Sequence, residues 1–151
     1  MQHLATVESV SVRLETVLTR LSAHFRGMPE SKLLGRLPDG RSRAAAGHEL
    51  AGRVALAAQG VEDRGEAAAP AWRRLPFEGP FVVGDQIGVT GHDLLVACAC
   101  ASMSAMADEA SRAAGEGEVW APGEGRRGER LGIEELLGRV LAAAEELARR
   151  L

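Results

Sequence analysis

The sequence predicts an all-α protein, a four-helix bundle with a long irregular connection between its second and third helices. Three observations carry this expectation. Alanine, leucine, glutamate and arginine dominate the chain, and all four favour helix. Aromatic residues make up 3% of it and tyrosine is missing, which leaves little to build the faces of a β-sandwich or barrel. Apolar residues recur at helical spacing in four separate stretches. The 151 residues fit one domain, over 1–151, long enough to bury a core without disulfides or metals.

The first helix is expected over about residues 3–26. Val7, Val10, Leu14, Val17 and Leu21 follow steps of three and four, a heptad seam that Leu18 widens. Gly27 and Pro29 end it. Pro38-Asp39-Gly40 marks a turn, and a second helix follows over about 42–63 with Ala44, Gly47, Leu50, Val54, Ala58 and Val61 on one face. Residues 64–89 carry Pro70, Pro76 and Pro80 and are expected to run as an ordered extended segment that buries Phe77, Phe81 and Trp72.

A third helix is expected over about 91–110, with Thr90 as N-cap and Asp93 completing a capping box. From Leu94 to Ala107 nearly every residue is apolar or small, so this helix is expected to be surrounded on most sides. Glycine and charge over about 115–128 read as a mobile loop. The last helix, about 132–151, places Ile133, Leu136, Val140, Ala144, Leu147 and Leu151 on one face. Its Glu135–Arg139, Glu145–Arg149 and Glu146–Arg150 spacings suit i,i+4 ion pairs.

Composition excludes some classes of function. A net charge of −3 argues against a nucleic-acid or anionic-membrane partner. No basic head precedes an apolar run and no apolar run of ~20 residues is evident, so neither a secretory leader nor a membrane span is expected. Cys98 and Cys100, two apart on a helix, point to nearly opposite sides and suit neither a disulfide with each other nor one metal. Together these point to a cytoplasmic chain with reduced thiols.

Four residues are candidate ligand contacts: His48, His92, Asp93 and Asp85. Gly47-His48-Glu49-Leu50 is echoed by Gly91-His92-Asp93-Leu94. Either two helices present paired histidines to a shared small-molecule or metal site, or the echo is chance in a biased composition. Asp85 and Gln86 lie between apolar residues, where one of them can satisfy the backbone of the irregular segment. His48-Glu49 opens like a zinc-protease motif, but Gly52 stands where the second histidine belongs. Neither a metal nor another cofactor is assigned. Residues 123–128 spell G-x-G-x-x-G without the strand–turn–helix context that would make it a nucleotide site.

The stretch Ala46 to Ala58, with His48-Glu49-Leu50-Ala51-Gly52 at its head, resembles the His-x-Leu-Lys-Gly core of histidine-containing phosphotransfer domains. The resemblance covers about a dozen residues and implies a phosphoryl-accepting His48 on a helical bundle, with Ala51 where the family carries lysine.

The leading expectation is a non-enzymatic protein that acts by association, as a homo-oligomer or with a protein partner. Its interaction candidates are Trp120, in the glycine-rich segment, and the heptad residues Val7, Val10 and Leu14. Trp120 can equally anchor that segment to the helices.

Overall fold

The structure, a computed structural model, describes residues 2–107, 117–123 and 128–151. It is mostly helical. Helices α1 (Gln2–Arg26), α3 (Arg43–Glu62), α4 (Val83–Ala107) and α5 (Ile133–Arg150) are long, and α2 (Glu30–Leu33) is a single turn. Strands β1 (Glu118–Pro122) and β2 (Gly128–Gly132) pair as an antiparallel hairpin before α5.

The heptad seam of α1 is spent inside the molecule. Leu14, Leu18 and Leu21 are buried, Val7 is nearly so, and Val10 and Val17 pack against the same core. Val7, Val10 and Leu14 are therefore core residues and not the interaction surface the sequence suggested. The stripe of α5 is spent likewise, with Leu136, Leu137, Val140, Leu141, Ala144 and Leu147 buried. One ion pair, Arg13 to Glu145 at 2.8 Å, ties the two helices across their rim.

Contacts fix the helix directions. Ser22 of α1 lies against Gly84 and Gly88 of α4, and Leu18 lies against Gly91, so α1 and α4 are antiparallel. Gly47 near the start of α3 touches Val83 at the start of α4, while Glu62 near the end of α3 shares a cleft with Val96 and Cys100. Helices α3 and α4 therefore run the same way, and residues 63–79 carry the chain back between them. Leu151 shares a cleft with Ala23 and His24 at the end of α1, so α5 runs with α1.

The crossing segment has no regular structure, and side chains satisfy its backbone. Gln59 of α3 accepts from the Arg73 amide and donates to the Arg73 carbonyl, both at 2.9 Å. Gln86 of α4 donates to the Pro76 carbonyl at 2.9 Å, the role foreseen for Asp85 or Gln86. Trp120 Nε1 donates to the Glu66 carbonyl and Arg130 to the Arg64 carbonyl, which fastens the hairpin to the same segment. Gly60 makes room for this: a Cβ there would lie 1.8 Å from the Trp120 carbonyl oxygen.

Several expectations are corrected. The third long helix starts at Val83 rather than near 91, led in by a 3-10 turn over Pro80–Val82. Thr90 is thus interior to the helix, where its buried hydroxyl donates back to the Gln86 carbonyl at 2.7 Å instead of capping. Gly84, Gly88 and Gly91 are contact points with α1. Ser22 Oγ donates to the Gly84 carbonyl at 2.8 Å, and a Cβ on Gly84 would meet the α1 backbone at 2.9 Å.

Phe77 and Phe81 are exposed rather than buried, because the turn at Pro80 sends Val83 inward in their place; Trp72 is half-buried. The expected loop over 115–128 contains β1, whose Val119 and Ala121 face the core with Leu131 of β2. Residues 108–116 and 124–127, on which the rest of that expectation and the G-x-G-x-x-G stretch partly fall, lie outside the described residues.

Candidate functional site

His48 is the most firmly oriented of the candidate residues. It sits half-buried on α3, its ring edge-on to Phe77 at a centroid distance of 5.2 Å. Its Nδ1 lies 3.2 Å from Gln86 Oε1. The amide of Gln86 is itself oriented, since its nitrogen donates to Pro76. The oxygen must therefore face the imidazole, and Nδ1 carries the hydrogen. In the neutral ring, Nε2 is the nitrogen with the free lone pair.

The neighbours of His48 in sequence do other work. Glu49 pairs with Arg41 and Arg53 on the surface. Ala51, where the phosphotransfer family carries its lysine, is fully buried.

His92 and Asp93 stand elsewhere. Both are exposed, and they line a shallow cleft of about 370 Å³ with Glu62, Arg64, Val96, Ala97 and Cys100. His92 lies six residues past Gln86, which is roughly 9 Å along the axis and about a third of a turn around it. The structure does not bring His48 and His92 to one site. Among the described residues, no group of three or more His, Cys, Asp or Glu is placed to hold a metal ion. Asp85 pairs with Arg26 of α1 at 2.8 Å. Trp120 anchors the hairpin, with the Arg130 guanidinium 4.7 Å from its ring centroid.

The Gly-His-x-Leu echo has a packing origin. Gly47 sits against the Phe25 ring of α1 and Gly91 against the Leu18 side chain. Three residues on, Leu50 and Leu94 are both buried. Each copy is a place where α1 approaches closely and a leucine fills the core one turn later. The acid is exposed in both copies, whereas His48 is half-buried and His92 exposed.

The two thiols also differ. Cys98 is buried and its thiol is pushed up to about 12 by desolvation, with Arg64 pulling weakly the other way. It is inert at neutral pH, whereas Cys100 is exposed.

The feature that the sequence reading missed is the outer face of α4. Val89 (61% exposed), Val96 (46%), Met103 (71%) and Met106 (64%) stand on it, with His92 and Ala99 between them. These positions repeat at 89, 96, 103 and at 92, 99, 106, a heptad stripe about 100° wide. No charged residue occurs from Leu94 to Ala107. The spacing was present in the sequence, but a helix start placed at 91 cut off Val89. The apolar run by itself suggests a helix surrounded on most sides. Taken with its lead-in turn, Pro80–Ala107 is long and apolar enough to cross a membrane by length and composition, which the sequence reading did not anticipate; 39% of its apolar window is buried in the protein.

No protein-family model, curated protein or solved structure matches the chain.

Proposed function

We propose that this protein acts by association, and that the outer face of α4 is its contact surface. In this reading the four long helices and the crossing of residues 63–79 form a four-helix bundle with one long irregular connection, and α4 is the helix it offers to a partner. The observation that carries the reading is the exposed stripe of Val89, Val96, Met103 and Met106 on a helix face without charge after Asp93. Isolated exposed apolar residues are ordinary. A contiguous row of them over some five turns marks a surface that is covered when the protein works.

Methionine oxidation tests this. Met103 and Met106 should oxidise quickly in the dilute purified chain and several-fold more slowly in concentrated extracts of the cells that make it. Buried Met28 should be slow in both. Equal, fast oxidation of Met103 and Met106 in every condition would refute the reading.

A second reading rests on His48 alone, whose Gln86 contact favours one free nitrogen, Nε2, toward a ligand or phosphoryl group. Long-range nitrogen–proton NMR should find the hydrogen on Nδ1 and a selective shift of Nε2 on adding zinc or an acyl phosphate. No shift with either would dismiss it.

A further inference from the structure

Resting on the association reading, we infer that the occupant of the α4 face is a second copy of this chain, docked antiparallel about a two-fold axis that crosses α4 between Val96 and Ala99. The axis follows from overlap. The stripe runs from Val89 to Met106, and only an axis at its middle lets two copies cover all of it. Val89 then meets Met106 of the other copy, His92 meets Met103, and Val96 meets Ala99.

Volume and charge agree with this docking. The first half of the stripe is Val89, His92 and Val96, and the second is Ala99, Met103 and Met106. An antiparallel pair sets each flexible methionine against a shorter valine or a flat imidazole, and the larger Val96 against Ala99. A parallel pair stacks methionine on methionine and brings the Asp93 carboxylates together. In the antiparallel pair Asp93 faces the uncharged half, level with Ser102. Asp85 is already paired with Arg26.

The area is sufficient for a modest dimer. The exposures of Val89, Val96, Met103 and Met106 amount to roughly 400–500 Å² of apolar surface per chain. With the rim residues His92, Asp93 and Cys100, two copies reach the ~1,000 Å² that a biological interface needs. Isologous pairing requires the face to complement itself, and a helix without charge from Leu94 to Ala107 brings no like charges of its own together over that half. An anionic lipid surface is the poorer match, since α4 carries Asp85 and Asp93 and neither lysine nor arginine.

The test is sedimentation of the full chain from about 1 to several hundred micromolar, with four variants checked by circular dichroism. The wild type should pass from 15.9 kDa to twice that mass. Val89→Glu and Met106→Lys should each weaken the dimer about tenfold or more, and the double variant should restore it, because the antiparallel register sets each new glutamate beside a new lysine. Val96→Glu should abolish it with the helix content unchanged.

A wild type that stays at 15.9 kDa throughout overturns the second copy. If Met103 and Met106 are nevertheless protected in extracts, the contact surface stands and the occupant is another protein. Flotation of the monomer with phosphatidylcholine vesicles, lost on Val96→Glu, overturns the inference in favour of lipid. A dimer that survives Val96→Glu overturns the inference, because the two copies then meet through another surface. Loss in the single variants without rescue in the double overturns the antiparallel register.

Discussion

Helices α4 and α5 are both rich in alanine and apolar residues, yet they meet solvent in opposite ways. The outer face of α5 is a lattice of ion pairs: Arg139 bridges Glu129 and Glu135, and Glu146 bridges Arg149 and Arg150. Its leucines and valine are all turned inward, and alanine is its only exposed apolar residue type. Helix α4 buries one side against α1 and α3 and shows valine and methionine on the other. The interior of one chain thus accounts for every large apolar residue placed on α5 but not for those on the outer stripe of α4. That stripe needs a reason outside the single chain.

Removing buried volume gives the largest expected effect. Leu137 of α5 and Leu94 of α4 are both fully buried, and truncating either to alanine should cost about 2–5 kcal/mol in denaturant unfolding. Val96→Ala on the outer stripe should stay within about 0.5 kcal/mol in dilute solution, where α4 is uncovered. An outer truncation as costly as an inner one would mean that the face is already packed.

Glycines sharpen the contrast at the next scale. A Cβ on Gly84 of α4 would collide with the α1 backbone, whereas one on Gly138 of α5 would meet open space. Gly84→Ala should therefore destabilise by about 1–3 kcal/mol, and Gly138→Ala should stabilise by about 0.5–1 kcal/mol through helix propensity alone. The two changes should move the denaturation midpoint in opposite directions.

Thiol labelling reads α4 itself. Cys100 should react with a maleimide in the native chain, and Cys98, buried with its thiol held near 12, only on unfolding. Equal rates for the two would contradict the inner and outer assignment of this helix.

The smallest effect belongs to the ion pairs of α5. Hydrogen bonds from Arg149 and Arg150 hold the Glu146 carboxyl below its ordinary 4.5, and Arg41 does the same for Asp39, which also meets Arg150. A carboxyl lowered on folding adds stability above its ordinary value and loses it as pH falls through the lowered one. Both groups are exposed, so Glu146→Gln should lower the neutral-pH midpoint only slightly and flatten the acid limb below about pH 4.5 to the same small extent.

The sequence disclosed what one side of a helix discloses. The seam from Val7 to Leu21 and the stripe from Leu136 to Leu147 alternate apolar and charged residues, so both the helix and its buried face could be read. Helix α4 lacks that alternation. Its inward side mixes Gly84, Gly91 and Ala97 with Ile87 and Leu94, and its outward side carries Val89, Val96 and Met103, so apolar residues stand on both sides and periodicity is weak. Pro70, Pro76 and Pro80 made the chain look irregular as far as residue 89, and Thr90 looked like a cap. His48 was legible as a candidate, but its orientation by Gln86 depends on two parallel helices joined by a crossing that no local pattern announces.

Methyl NMR of the methionines with a soluble paramagnetic probe tests the role of α4 most directly. At low concentration Met103 and Met106 should be strongly broadened by the probe and Met28 spared. As the protein is concentrated, the signals of Met103 and Met106 should become protected together while that of Met28 does not change. Broadening of Met103 and Met106 that persists at every concentration, and in the presence of cell extract, would contradict the account.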